Sequence, residues 1–362
     1  MAVVGTVLLQ NLDVAALSVL VPVLCVVIAL GVSAFRRRQQ ELRRLRPRGV
    51  RTRLDVIRRD LDRPAEYFGG LPQSEPAVWQ PFEHGLAAMA ACQWDQAIEH
   101  FRKAQAKANG AQLVPLYNQT GVCRYIQGRP DDALRYFEES ARLAKQHGDE
   151  PGKAPSLGNI GVVRHDYGEL DRALVQLSEA LAIARSYGDR RAAAPYLGSI
   201  GNIHRDKGEL DKALKFHEDA LAISREAGDR CGTARCLGNI GSIYRYLGEL
   251  DKALTFHYES LALAREVGHQ VGAATELGNI GLILTNKGTY EQAVPRLAES
   301  LTIFLAIGVA HGPRQARFGL SKCDDGLGRK RMQELLKEAG LVDGSIADLL
   351  DRIDQMRRRR PW

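Results

Sequence analysis

The chain has six cysteines, at 25, 92, 123, 231, 236 and 323, and no two of them form a Cys-x-x-Cys pair. No grouping of Cys and His has the spacing of a zinc site, so a metal is not expected. Scattered thiols in a domain of this size fit a reducing compartment, where they act as small packing residues. A Gly-rich phosphate loop is missing too, because the glycines recur as period markers on helices and not at a strand-to-helix turn. No catalytic constellation stands out. His217 and His257 are separated by one repeat, but Glu218 follows the first directly, whereas Tyr258 precedes Glu259 after the second. A catalytic pair reused in both units would need its acid at one offset. These histidines take a second-helix position that holds Leu177 and Leu297 in other units, and they read as core or half-buried residues. No enzymatic activity and no cofactor are expected.

Charge is absent from Val14 to Phe35, over 22 positions. As a helix that stretch is ~33 Å long, enough for a ~30 Å hydrocarbon core. Pro22 is tolerable there, since membrane helices accept proline. Met1–Asp13 carries no Lys or Arg, which argues against a cleaved signal peptide. Arg36-Arg37-Arg38 follows at once, and the positive-inside rule then puts the short N-terminus (1–13) outside and the rest in the cytoplasm. The expectation is a single-pass anchor over 14–35; a buried soluble helix is the alternative.

The formal net charge of +7 is unevenly spread. Residues 36–63 hold twelve Arg against four acids, and Arg357–Arg360 add a basic tail, which leaves the body net acidic. The Arg-rich segment Arg36–Arg63 suits an anionic leaflet or a solvated stalk. Its near lack of aromatic residues argues against nucleic acid. Residues 36–76 as a whole read as juxtamembrane segment and linker.

What the chain does have is a repeat. Leu157-Gly158-Asn159-Ile160-Gly161 returns as Leu197-Gly198-Ser199-Ile200-Gly201, Leu237-Gly238-Asn239-Ile240-Gly241 and Leu277-Gly278-Asn279-Ile280-Gly281. A fixed period of this length means a stacked array of one supersecondary unit. Gly85, Gly121, Gly161, Gly201, Gly241 and Gly281 are each followed at one offset by an alanine, from Ala97 to Ala293. Leu157, Ile160, Gly161 and Arg164 fall on one face of a first helix. Leu170, Ala173, Leu174, Leu177, Ala180, Leu181 and Ile183 form the stripe of a second. Gly188-Asp189 and Gly228-Asp229 close that helix. Close approach of the two helices needs the small residues Gly161, Ala173 and Ala180, and a single pair cannot cover its apolar face, so neighbouring pairs must stack.

This pattern resembles the tetratricopeptide repeat over about 77–323. The version with Leu-Gly-Asn-Ile-Gly and Asp-Lys-Ala-Leu-x-Phe-His (211–217 and 251–257) resembles the Leu-Gly-Asn-repeat spindle-orientation adaptors and, less closely, kinesin light chains. The resemblance implies an all-α helical-hairpin solenoid of about six units. Residues 314–323 and Arg329–Ala339 read as a degenerate seventh unit. A final helix over 344–357 carries Ile346, Leu349, Leu350 and Ile353 on one side, so that 324–362 supply capping helices and the tail.

Positions beside the buried stripe of each first helix must point to the inner surface. They hold Asn159, Ser199, Asn239 and Asn279, then Asn202 and Ser242, then His165, Arg205 and Arg245, with Tyr246 and Asn286 further on. The unit at 117–121 offers Gln119 instead. The resemblance to peptide-binding arrays implies that the Asn amides hydrogen-bond the backbone of an extended ligand, for which one donor and one acceptor suffice. Arg205 and Arg245 can clamp a carboxylate. Gly158, Gly198, Gly238 and Gly278 leave room for a ligand backbone. The competing role for the Asn row is to tie neighbouring repeats together. The expected function is a membrane-anchored adaptor that binds a protein through an extended, acidic peptide. Its rivals are an assembly subunit using convex or terminal faces, and a regulatory accessory of a separately encoded enzyme.

Overall fold

Glycine followed by an acid punctuates the folded chain. Gly188 has φ 68°, in the left-handed region where a side chain is strained. Its N–H reaches the Arg185 carbonyl at 3.0 Å, and the next N–H, of Asp189, reaches that of Ala184 at 2.9 Å, which satisfies the carbonyls at the end of one helix. The Asp189 carboxylate then accepts from the Ala192 N–H at 2.8 Å and caps the next helix. Asp149 and Asp229 do the same for Gly152 and Gly232.

The computed structural model describes residues 76–307 and 312–358. Among them are fifteen α-helices and no strand. First helices of the pairs are α1 (Pro76–Ala90), α3 (Leu113–Ile126), α5 (Glu150–Asp166), α7 (Arg190–Asp206), α9 (Arg230–Tyr246) and α11 (Gln270–Asn286). Second helices are α2 (Trp94–Gln105), α4 (Pro130–Gln146), α6 (Leu170–Ser186), α8 (Leu210–Glu226), α10 (Leu250–Glu266) and α12 (Tyr290–Ala306). Three more follow, α13 (Gly312–Leu327), α14 (Arg329–Glu338) and α15 (Asp343–Arg358). The expected membrane span at 14–35 and the Arg36–Arg63 segment lie outside the described residues. Among the described residues no helix is long and apolar enough to cross a membrane.

The periodic glycines do the packing work expected of them, against a partner sixteen residues on. A Cβ on Gly161 would stand 2.7 Å from Leu177 Cγ and 3.2 Å from the Ala173 carbonyl. At Gly85 and Gly121 the obstructing groups are Phe101 and Phe137, and at Gly281 it is Leu297. His217 and His257 fill the same slot against Gly201 and Gly241. Each slot is therefore a knob from the second helix set into a hole in the first. Burying a leucine such as Leu177 fully contributes about 1.5–3 kcal/mol.

Pairs stack into a solenoid whose core passes from unit to unit. On α5, Ile160 and Val163 face the preceding units while Leu157 joins the cluster of the following ones. Hydroxyls help: Ser140, Ser260 and Ser300 donate to the carbonyls of Val114, Ala234 and Ala274, each from a second helix to the first helix of its pair. At the far end Ile346, Leu349, Leu350 and Ile353 of α15 are buried with Leu320 of α13 and Met332 of α14. Consecutive first helices also touch one another directly, from α3 and α5 through to α9 and α11. Those contacts set successive first helices side by side on one face of the stack, the face expected to be the inner one.

Candidate functional site: the inner face of the first helices

Asn159, on α5, donates from Nδ2 to Asn118 Oδ1 of α3 at 2.9 Å. It thus ties two units together. The partner is Asn118, which is buried, and not Gln119, the residue that the repeat alignment brings opposite. On α7, Arg205 is held within its own helix. Its Nε and Nη2 donate to Asp206 Oδ1 at 3.0 and 2.9 Å, and Nη1 donates to Asn202 Oδ1 at 3.2 Å. His165 Nε2 meets the other Asp206 oxygen at 2.7 Å across the repeat boundary. Burial pushes the Asp206 carboxyl up, but the His165 hydrogen bond and the Arg205 charge outweigh it and hold the group below the usual carboxylate range. Asn202 and Arg205 are thereby members of an inter-repeat network in which Asp206 occupies the Arg205 fork.

The row continues differently on α9 and α11. Asn239 and Asn279 are half-buried, and neither amide has a hydrogen-bond partner among the described residues. Arg245 lies over the exposed Tyr246 ring, 4.9 Å from its centroid, and pairs with no described carboxylate. Ser242 turns its hydroxyl back to the Gly238 carbonyl at 3.0 Å, as helix-interior serines do, so it contributes little to the surface. Asn286 is exposed at the end of α11. Three groups therefore stand ready for a ligand: Asn239, Asn279 and Arg245.

The second glycine row does not leave the room expected of it. A Cβ on Gly158 would lie 2.5 Å from the Tyr196 ring, one on Gly238 2.4 Å from Glu276 Oε1, and one on Gly278 3.2 Å from Ser300 Oγ. Those glycines receive side chains of the protein itself, Tyr196 and Glu276 from the following unit and Ser300 from its own. Gly198 is the exception, with nothing within 4 Å. Glu276 also bonds the buried His257, Oε2 to Nδ1 at 2.6 Å. The acid that serves His257 thus sits nineteen residues later on the next unit's first helix, not beside it in sequence. Reading offsets within one unit could not find it.

A second opening of about 380 Å³ lies among α2, α3 and α4. Arg102, Arg124, Arg129 and Arg135 line it against a single acid, Asp132, with Tyr117 and Tyr136. Arg129 is bound to that acid at 2.5 Å.

A family model of the tetratricopeptide repeat matches residues 112–186 and 191–266, two helix pairs in each stretch. Over those two stretches the chain is similar to the tetratricopeptide repeat. No curated protein matches the chain. Among solved structures it is similar to the signal-transduction ATPase with a tetratricopeptide repeat sensor, PH0952, from Pyrococcus horikoshii, at TM-score 0.59 and 16% identity. That match takes in 85% of this chain and 48% of the ATPase, about half its length. The Rap conjugation gene regulator of plasmid pLS20, in complex with the Phr* peptide, is similar at TM-score 0.55 and 15% identity, over 77% of this chain and 75% of that one. BtubC from P. vanneervenii reaches TM-score 0.50 at 16% identity, over 61% and 91%. At such identities the likeness shows the all-α helical repeat solenoid and nothing finer.

Proposed function

We propose that this solenoid is a non-catalytic adaptor that holds a protein partner through an extended, acidic peptide laid along the inner face of α9 and α11. The observation that carries the reading is the set of open groups there. Asn239 and Asn279 repeat one position on neighbouring first helices, and each amide can pair with a peptide unit. Arg245, without a carboxylate of its own, supplies the charge selection. A protein of similar fold in complex with a peptide, the Rap regulator with Phr*, is in keeping with this use. The Leu-Gly-Asn signature resembles that of the spindle-orientation adaptors and, less closely, kinesin light chains, in keeping with an adaptor. In the full reading residues 14–35 anchor the array to a membrane, with the repeats in the cytoplasm and Arg36–Arg63 against anionic lipid.

The test is capture of partners by the full chain, in detergent, beside two variants of equal helicity. Asn239→Ala/Asn279→Ala/Arg245→Ala removes the open groups. Asn159→Ala/Arg205→Ala removes groups that the fold already uses. Specific partners lost with the first variant and kept with the second support the reading. Partners kept by the first would show that the convex or terminal faces do the binding, in an assembly subunit. For the anchor, an alkaline wash of membranes leaves the full chain in the pellet and releases a chain lacking 14–35. Release of the full chain would end that part of the reading.

A further inference from the structure

The neighbouring units differ at one spot in a way that marks a vacancy with a chemistry. In the unit of α9 and α10, Glu276 reaches across from α11, passes over Gly238 and bonds His257 Nδ1 at 2.6 Å. One unit earlier the same three positions hold Cys236, Gly198 and His217. His217 is wholly buried, with 0% of its surface exposed, and neither ring nitrogen has a hydrogen-bond partner. Both rings are set the same way: the Cδ2–Nε2 edge of His217 lies against Gly201, as that of His257 lies against Gly241. His217 Nδ1 therefore looks where His257 Nδ1 looks, towards the place a Glu276 carboxylate would take. Cys236 is too short to fill that place. The space above Gly198 is open, and Gly198 itself is reached by solvent, whereas Gly158, Gly238 and Gly278 are buried.

We infer that the crevice between α7 and α9, floored by Gly198, becomes a binding pocket for a carboxylate when the side chains that now seal His217 from solvent move aside. An acidic side chain of the groove peptide would enter it and do for His217 what Glu276 does for His257. Only that source of the carboxylate rests on the groove reading; the pocket stands on its own geometry. The electrostatics agree. Burial, with the charges of Arg205 and Arg235, pushes the His217 ring down to about 3, so it is neutral at physiological pH. A neutral imidazole has one N–H to donate, and an orphaned buried donor is costly until it finds an acceptor. Where the second-helix residue is apolar, as at Leu177, the covering side chain is the Tyr196 ring over Gly158. The cover thus matches what lies beneath it, and beneath Cys236 the match is missing.

The experiment follows the His217 ring nitrogens by ¹⁵N NMR in the full chain as sodium acetate replaces sodium chloride at constant ionic strength. The His217→Gln spectrum assigns them. Expected is a saturable shift of the His217 resonances, with acetate affinity weakened about tenfold or more in Gly198→Leu, as for loss of a hydrogen bond to a charged group. Cys236→Glu should give His217 a hydrogen-bonded pattern like that of His257 without acetate, and abolish the acetate response. No acetate-dependent shift in the wild-type chain would overturn the pocket, as would a response that Gly198→Leu leaves intact. A saturable response alongside partners that ignore the triple groove variant would sink the groove reading and leave the pocket standing.

Discussion

His217 carries a titratable ring into a slot where Leu177 and Leu297 sit in other units, and the fold has to keep it neutral. Its folded value of about 3 lies below the ~6.5 of an unfolded histidine. Below pH ~6.5 the unfolded chain takes up a proton that the folded ring refuses. Stability is then complete above pH ~6.5 and falls as pH drops towards 3, by up to ~1.4 kcal/mol per unit. His217→Leu removes this dependence. In carboxylate-free buffers the urea midpoint of the variant should exceed that of wild type by more at pH 5 than at pH 8; an equal gap would mean the ring is protonated in the fold. The core placement of His217 was legible from the leucines that alternate with it in sequence. The partner of His257 was not, because Glu276 approaches from the next unit and its offset depends on how units stack. The network around Arg205 was hidden for a related reason. Sequence marked it as an inner-face cation, but its own neighbour Asp206, drawn in by His165 of the preceding unit, consumes it.

At the scale of the element, two glycines on equivalent helices should respond to the same substitution with opposite signs. A Cβ on Gly161 meets Leu177 and the Ala173 carbonyl, an overpacking that costs about 1–3 kcal/mol. A Cβ on Gly198 meets nothing, so only the helix-propensity gain of about 1 kcal/mol over glycine remains. Gly161→Ala should lower the thermal midpoint and Gly198→Ala should raise it, by calorimetry under one set of conditions. A rise in both would contradict the knob-in-hole packing. The cap at Asp189 belongs here too. Asp189→Ala frees the Ala192 N–H at the start of α7 and should cost ~1 kcal/mol in chemical denaturation. The helix pairs of the array, their Gly-Asp ends and the periodic holes were readable in advance, since they depend on residues within one unit and recur at a nearly constant spacing. Gly158 and Gly238 look identical to Gly198 in sequence, yet Tyr196 and Glu276 fill the first two and Cys236 leaves the third open.

For the whole molecule, the Asn and Arg side chains of the inner face divide into a set that the fold uses and a set that it leaves open. From α3 to α7 the Asn and Arg side chains link units, through Asn118–Asn159 and through Asn202, Arg205, Asp206 and His165. On α9 and α11 Asn239, Asn279 and Arg245 remain open. A solenoid shares its stability between unit cores and nearest-neighbour contacts, so inter-unit links can concentrate at one end while the other serves a ligand. The measurement that bears most directly on this division is a titration of a captured partner against three full-length chains: wild type, Asn239→Ala/Asn279→Ala/Arg245→Ala, and Asn159→Ala/Arg205→Ala. With each lost hydrogen bond worth about 0.5–1.5 kcal/mol, the first variant should bind at least ~10-fold more weakly at unchanged thermal stability. The second should lose stability and keep its affinity. Equal affinity in wild type and the α9/α11 variant would contradict the account and move the binding surface elsewhere on the array.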